Sequence, residues 1–158
     1  MTARSDEPAG CIFCSAASAQ DLRSSLTLYS DSKLVVMLNR YPYTNGHLMV
    51  APAEHVSRLW ESDRAALSAI IMASAESQRI LSDEYHPDGF NVGMNFGTAA
   101  GAGVADHYHV HVVPRWSGDS NFMSVTAETR MIPENLETTW EKLSPKFAGL
   151  GAVIDPHQ

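Results

Sequence analysis

Three histidines occupy alternate positions in the run His107-Tyr-His-Val-His-Val-Val-Pro-Arg115. A period of two is typical of a β-strand, so successive imidazoles are predicted to lie on one face, roughly 6.5–7 Å apart. A neutral imidazole is a competent nucleophile toward phosphorus, and the phosphoramidate that it forms readily passes the group on. The spacing therefore predicts that one histidine reacts while its neighbours reach a metal or a bound phosphate. The alternatives are a surface strand with histidines or a fortuitous metal cluster.

The two cysteines of the chain, Cys11 and Cys14, form the motif Cys-Ile-Phe-Cys. In a cytoplasmic chain of this size, that spacing favours metal binding or redox chemistry over a structural disulfide. A redox pair would be expected to open a helix in a thioredoxin-like unit, and no such unit follows. A zinc site would need two further ligands. The remaining alternative is a pair of small, buried apolar side chains.

Composition limits the fold and the partners. With 158 residues, 44% hydrophobic and 18% charged, the chain is typical of a globular domain with a substantial core. We expect a disordered segment at residues 1–10, a single domain at 11–150 and a C-terminal tail at 151–158. The net charge of −7 argues against nucleic-acid binding through a general electrostatic field. We find neither a membrane span nor a secretory signal in the sequence, and we expect a cytoplasmic protein.

Apolar runs and turn residues predict the elements that must position these side chains. Strands are predicted at Leu26–Ser30, Leu34–Leu38, His47–Ala51 and Phe90–Asn95, followed by the histidine strand, which Pro114 ends or marks as an edge. A long helix is expected from an N-cap at Ser62 to Tyr85, and a short one from Asn135 to Lys142. This order predicts an α+β fold with an antiparallel meander sheet rather than a parallel βαβ fold.

The histidine run and several other segments resemble the histidine triad (HIT) family, whose signature is His-φ-His-φ-His-φ-φ with φ apolar. His107–Val113 matches the signature in full, and the resemblance extends from about Cys11 to Phe122, including Leu38–Arg40, Gly46–Pro52 and Pro114–Arg115. It points to the zinc-containing type and to the branch of fragile-histidine-triad proteins and bacterial dinucleoside polyphosphate hydrolases and phosphorylases. The resemblance implies a HIT-like fold, in which an antiparallel meander sheet packs against one long helix and a short C-terminal helix. It also implies a homodimer.

The resemblance further implies roles for individual residues. His109 matches the nucleophile that forms a nucleotidyl-histidine intermediate, and His111 would bind a non-bridging or leaving oxygen. A closed, structural zinc site would be formed by Cys11, Cys14, His55 and His107. The positions that match substrate-binding residues are Asn39, His47, Asn95, Gly101, Gly103 and Arg115. The alternatives are a turn residue for Asn39, a half-exposed strand residue for His47 and a structural histidine for His111.

One loop departs from the family pattern and leaves the acceptor open. Many members carry Gln and then Ser or Thr before the first triad histidine, where this chain has Gly101-Ala-Gly-Val-Ala-Asp-His107. We predict a nucleotide hydrolase or nucleotidyltransferase that cleaves phosphoanhydrides of adenosine dinucleotides, namely diadenosine polyphosphates. The alternatives are a diadenosine tetraphosphate phosphorylase, for which the smaller loop leaves room for inorganic phosphate, and a nucleotide-binding sensor with little turnover. A zinc-organised structural protein is the remaining alternative.

Overall fold

A computed structural model describes residues 10–119 and 133–155 of the chain. Its strands are β1 (Thr27–Ser30), β2 (Leu34–Leu38), β3 (Leu48–Pro52), β4 (Gly89–Met94) and β5 (Val110–Arg115). Its α-helices are α1 (Ile12–Ala17), α2 (Arg64–Tyr85), α3 (Leu136–Phe147) and α4 (Leu150–Ile154), with short 3-10 turns at Leu59–Glu61 and Thr98–Ala100. Most of the expected N-terminal segment, residues 120–122 of the family resemblance, and the last three residues of the expected tail lie outside the described residues.

The strands form one antiparallel sheet in the order β1-β2-β3-β5-β4. The first three strands follow one another as a meander, whereas the histidine strand β5 lies between β3 and β4. The 22 residues of α2 connect β3 to β4, and a helix of that length spans about 33 Å, enough to reach the far side of the sheet. The α+β class with an antiparallel sheet is thus confirmed, and β5 is bonded to a strand on each side.

Both faces of the central sheet are covered. On β2, Leu34, Val36 and Leu38 belong to the core cluster that contains the buried face of α2, while Val35 and Met37 belong to a second cluster with α1. Alternate residues of a strand point to opposite faces, so two covered faces require an apolar residue at every position. This explains why all five residues of β2 and all five of β3 are buried.

The histidine strand follows the same alternation. β5 begins at Val110, so His107 and His109 precede it and the predicted start of the strand is wrong. Tyr108, Val110 and Val112 nevertheless share one face and lie in the cluster under α2. His111 pairs with Met49, which belongs to the α1-side cluster, so the histidines face α1. Pro114 does not end the strand. The pairing of β5 with β3 stops at Val112, so the missing N–H of the proline interrupts no bond of that ladder.

The long helix α2 begins one residue later than expected, and the prediction of Ser62 as its N-cap is wrong. Asp63 is the N-cap, and its carboxylate accepts a hydrogen bond from the Ala66 amide at 2.7 Å. A carboxylate also interacts favourably with the positive end of the helix dipole, which gives Asp63 an advantage over a serine. The Ser62 hydroxyl instead forms a 2.7 Å hydrogen bond with the hydroxyl of Tyr108.

The C-terminal helices extend farther than the sequence predicts. α3 begins after Asn135 as expected, but it continues through Pro145 to Phe147 because Leu143 and Phe147 are fully buried. Residues 151–154, expected to form part of the tail, are helical, and Ile154 joins the cluster under α2. Across residues 10–119 and 133–155, we find no helix that combines the length and the apolar character needed to cross a membrane.

Candidate active site and metal centre

The middle histidine of the run has a defined orientation. The His109 side chain is 3% exposed, and its Nδ1 lies 3.0 Å from the backbone carbonyl oxygen of His107. A carbonyl only accepts hydrogen bonds, so Nδ1 must carry the proton and donate it. In the neutral ring, Nε2 therefore retains its lone pair. This is the tautomer that an imidazole nucleophile needs, with the attacking nitrogen on the edge opposite the backbone contact.

The imidazoles of His47 and His111 lie beside His109 and are hydrogen-bonded to each other. The Tyr43 amide donates to His47 Nδ1 at 3.2 Å, so the proton of the neutral His47 ring belongs on Nε2. That Nε2 lies 2.9 Å from Nδ1 of His111 and donates to it. The remaining proton of neutral His111 is then on its Nε2. His111 thus has an N–H donor on its outer edge, while His109 has a bare nitrogen.

Burial keeps these rings neutral. Desolvation lowers the pKa of His47 to about 4, with smaller contributions from the repulsion that protonated His111 and His109 would exert. Desolvation also lowers the pKa of His109, and it lowers the pKa of His111 together with repulsion from His109. Taking a charged imidazolium out of water is costly, so these rings are neutral at pH 7. The assigned tautomers therefore describe the protein under physiological conditions.

Three further side chains converge on His107, the first histidine of the triad. Cys11, Cys14, His55 and His107 bring their ligand atoms to within 4.8 Å of one another. Nδ1 of His107 lies 3.3 Å from the sulfur of Cys11 and 3.7 Å from that of Cys14, whose sulfur is also 3.3 Å from Nδ1 of His55. Two thiolates and two imidazoles are the donor set of a closed tetrahedral site. These residues could therefore hold a metal ion, in agreement with what the family resemblance implies.

Local structure explains how the cluster is assembled. Cys11 is the N-cap of α1, which places Cys14 one turn later on the same side of the helix. His107 Nε2 lies 2.8 Å from the Pro52 carbonyl oxygen and donates to it, so Nδ1 carries the lone pair that faces the sulfurs. Burial lowers the pKa of His107 to about 4, which keeps that lone pair available. Such an outer hydrogen bond is the usual device that orients a metal-binding histidine.

Asn39 lies at the edge of the imidazole group. Its backbone amide donates to the His47 carbonyl at 3.0 Å, and its side-chain Nδ2 is 3.3 Å from His47 Nε2. Its side-chain oxygen accepts from the Tyr41 amide at 2.9 Å, which fixes the turn after β2. The structure thus brings Asn39 and His47 together with the triad.

The glycine loop lies on the same face of the sheet. Val104 packs against the α1-side cluster, so the loop passes over the region that the histidines face. An added Cβ would meet nothing within 4 Å at Gly101 or Gly103, and Gly101 has a φ of +84°, which favours glycine.

Asn95, just after the end of β4, is exposed. None of the contacts found among residues 10–119 and 133–155 joins Asn95 to the triad.

Arg115 is bound to groups at the end of β5. Its guanidinium donates to both carboxylate oxygens of Asp119 at 2.7 and 2.8 Å, and to the side-chain oxygen of Asn91 at 2.6 Å. It lies four positions after His111 on the strand, roughly 13 Å away at the usual rise. The structure therefore places this cation in an ion pair and does not bring it to the imidazoles.

Two contacts at the site were not anticipated from the sequence. The ring of Phe13 lies 4.6 Å from that of His109, centroid to centroid, and Thr44 Oγ1 donates to the Pro114 carbonyl at 2.7 Å. The position of Phe13 inside the Cys-Ile-Phe-Cys motif is the only available signal for the first contact. Nothing in the local pattern around Thr44 indicates the second, because it depends on the strand order.

Comparisons with known proteins agree with this geometry. The family model described as the HIT domain matches residues 22–118. An AP-4-A phosphorylase of Mycobacterium tuberculosis is 42% identical over 117 residues, which are 73% of this chain and 60% of that protein. The chain thus spans about three fifths of the length of this relative. The protein named hit of Bacillus subtilis is 30% identical over 140 residues, covering 87% of this chain and 94% of its own.

Solved structures show the same fold. The crystal structure of a Zn-bound histidine triad family protein from Mycobacterium smegmatis superposes with a TM-score of 0.68 at 26% identity, covering 90% of this chain and 96% of that one. The structure of a HIT family member from Bacillus subtilis gives a TM-score of 0.62 at 24% identity, over 88% and 95% of the two chains.

Proposed function

The chain belongs to the histidine triad family, and we propose that it is an enzyme that cleaves phosphoanhydrides of adenosine dinucleotides through a nucleotidyl-His109 intermediate. The observation that carries this proposal is the orientation of His109. Its Nδ1 is tied to the His107 carbonyl at 3.0 Å, which leaves a neutral, buried ring with the Nε2 lone pair available. A ring with only a structural role would not need a bare nitrogen on its outer edge.

The proposed reaction has two displacements at phosphorus. In the first, His109 Nε2 forms a bond to the α-phosphorus, and the bond from phosphorus to the bridging oxygen breaks. The leaving polyphosphate takes the bonding electrons, and the Nε2–H of His111 donates a hydrogen bond to it or to a non-bridging oxygen. In the second displacement, an oxygen of water or of inorganic phosphate bonds to the same phosphorus, and the N–P bond breaks with its electrons returning to Nε2. A water acceptor releases its proton to solvent. His109 is thereby restored to its neutral form.

The rest of the substrate needs binding groups of its own. We propose that Asn39 binds the ribose, that His47 supports His111 on the phosphate side, and that Asn95 contacts the phosphates. Backbone N–H groups of the loop around Gly101 and Gly103 would bind anionic oxygens, as loops of this kind can. Asp119 holds Arg115 at the end of β5, away from the imidazoles. Arg115 would therefore contact only a polyphosphate chain long enough to reach that end of the strand.

A phosphorylase is the second candidate. The observation that favours it is the open glycine loop, where a Cβ at Gly101 or Gly103 would meet nothing within 4 Å. The loop lacks the amide and hydroxyl side chains that would fill this space, so an inorganic phosphate ion has room to approach the intermediate. The 42% identity to an AP-4-A phosphorylase supports the same candidate, with only 60% of that protein covered.

Product analysis tests the function and separates the two acceptors. Diadenosine tetraphosphate is incubated with the protein, with and without added inorganic phosphate, and nucleotides are separated by chromatography. A hydrolase yields AMP and ATP in both reactions. A phosphorylase yields ADP and ATP, with ADP appearing only when phosphate is present. AMP alone at high phosphate would reject the phosphorylase, and intact substrate in both reactions would reject the proposed activity.

We further propose that the ion held by Cys11, Cys14, His55 and His107 is zinc. This donor set suits zinc, and four protein ligands leave no coordination position for water or substrate. The metal would then stabilise the fold by fixing α1 and the start of the histidine strand. The reduced thiols that such a site requires are typical of the cytoplasm, the compartment that we propose for this protein.

We also propose that two copies pair through β4 as a homodimer. Within the described ranges β4 pairs with β5 alone, and Val92 on this strand is 45% exposed. An open edge with an apolar residue favours pairing across a two-fold axis. Val92→Arg is expected to convert the dimer to a monomer in sedimentation velocity, while Val153→Arg on α4, where the valine is 41% exposed, should not. A dimeric Val92→Arg protein would contradict this interface.

A further inference from the structure

Phe13 is buried between the metal-binding residues and the histidine strand. Its side chain has no exposed surface, and its ring centroid is 5.1 Å from that of His107 and 4.6 Å from that of His109. The planes of Phe13 and His109 differ by only 32°, so one face of the imidazole lies against the phenyl ring. His111 meets His109 differently, edge-on at 70° with the centroids 4.8 Å apart.

The orientation of His109 needs support beyond its hydrogen bond. The bond from Nδ1 to the His107 carbonyl fixes one edge of the ring. Rotation about the last side-chain bond of histidine is broad and roughly two-fold, so one hydrogen bond leaves an alternative in which the ring has turned over. That rotation would bring a carbon to the carbonyl and move the bare nitrogen away from its outward position. A flat apolar surface against the ring hinders the rotation without competing for either nitrogen.

We propose that Phe13 is a positioning residue for the nucleophile: its ring holds the His109 imidazole with Nδ1 toward the His107 carbonyl and Nε2 toward the substrate. This inference rests on the proposed function only in taking His109 as the nucleophile. A displacement of about 1 Å at a reacting atom can cost roughly a hundredfold in rate. An aliphatic side chain in place of Phe13 would fill much of the volume but would present no flat face.

The flanking cysteines account for the placement of Phe13. α1 has six residues and contains Phe13 one position before Cys14. A helix this short is not stable by itself and depends on its tertiary contacts. Cys11 and Cys14 lie 3.3 and 3.7 Å from His107, so the segment is anchored on both sides of Phe13 to the residue whose carbonyl orients His109. The phenyl ring and that carbonyl therefore belong to one rigid unit.

Kinetics of Phe13→Leu and Phe13→Met, with Val35→Ala as the matched control, test the proposal. Val35 is fully buried in the same cluster, on β2, so its truncation also creates a cavity. The Phe13 variants are expected to lose about ten- to a hundredfold in kcat for nucleotide cleavage, with KM and metal content unchanged. Val35→Ala should lose stability and keep its kcat. Equal kcat values for the Phe13 variants and the control would overturn the proposal, as would loss of bound metal in parallel with kcat.

Nitrogen-15 NMR of the imidazoles gives a measurement that does not depend on turnover. The wild-type protein should show His109 protonated on Nδ1 in a single state, and Phe13→Leu should show a second state or exchange broadening. Unchanged His109 signals in both Phe13 variants would overturn the positioning role. If the wild-type protein cleaves no dinucleotide, the proposed function fails, while the NMR comparison still decides the role of Phe13.

Discussion

His109→Asn is expected to lower kcat by roughly three orders of magnitude or more, because the bare Nε2 is removed. Asparagine is chosen on structural grounds. Its amide nitrogen falls near the position of Nδ1 and can still donate to the His107 carbonyl, a bond of 3.0 Å in the native protein. The variant should therefore fold and bind nucleotide while lacking the attacking atom. Single-turnover and steady-state rates, with nucleotide binding by calorimetry, measure the effect.

The matched control for this variant is His86→Asn. His86 is an exposed histidine that ends α2 in the left-handed conformation, with a φ of 48°. Asparagine tolerates that conformation well, so this substitution should leave both kcat and stability near the native values. A His109→Asn protein with a rate close to that of His86→Asn would remove His109 from the role of nucleophile.

The double substitution Cys11→Ser, Cys14→Ser is expected to lower Tm by on the order of 10 °C and to abolish metal binding. The cluster supplies four ligand atoms within 4.8 Å of one another, and α1 joins the rest of the protein through this cluster and its apolar contacts. Protein purified without added metal should contain about one equivalent of zinc per chain, as a closed four-ligand site implies. The rate per folded molecule should change little beside the loss of Tm, because a metal with four protein ligands offers the substrate no coordination position.

Two controls make the metal experiment decisive. Ser15→Ala alters an exposed residue of the same helix and should keep both the metal and the native Tm. A chelator should lower the Tm of the wild-type protein and of Ser15→Ala, but not that of the double variant. A native preparation that is free of metal and equally stable would contradict a structural zinc site.

The histidine strand shows how far local pattern can predict structure. Alternation places Tyr108, Val110 and Val112 under α2 and sends the histidines to the other face, because the period of a strand is fixed by its backbone. The potential metal ligands Cys11, Cys14, His55 and His107 do come together, but residue type and spacing indicated only the two cysteines. In that case the resemblance to a family supplied the long-range pairing that local pattern lacks.

The local sequence pattern could not predict the contacts that depend on strand order. The insertion of β5 between β3 and β4 brings the region just before β3 beside His111, so that His47 donates to His111 at 2.9 Å. Arg115 was predicted as a substrate-binding residue, and its bonds to Asp119 and Asn91 depend on the turn after β5 and on β4. The prediction of where α2 starts failed for a local reason. Ser62 and Asp63 are both good N-caps, and the sequence pattern alone does not rank them.

Trapping the covalent intermediate is the most direct test of the central claim. Protein mixed with excess diadenosine tetraphosphate is quenched in alkali, where a phosphorus–nitrogen bond to histidine survives, and its peptides are mapped by mass spectrometry. We expect one AMP on the peptide that contains His109, formed no slower than products appear, and absent from His109→Asn. Product formation by the wild-type protein with no such adduct, or with AMP on a different histidine, would contradict the proposed mechanism.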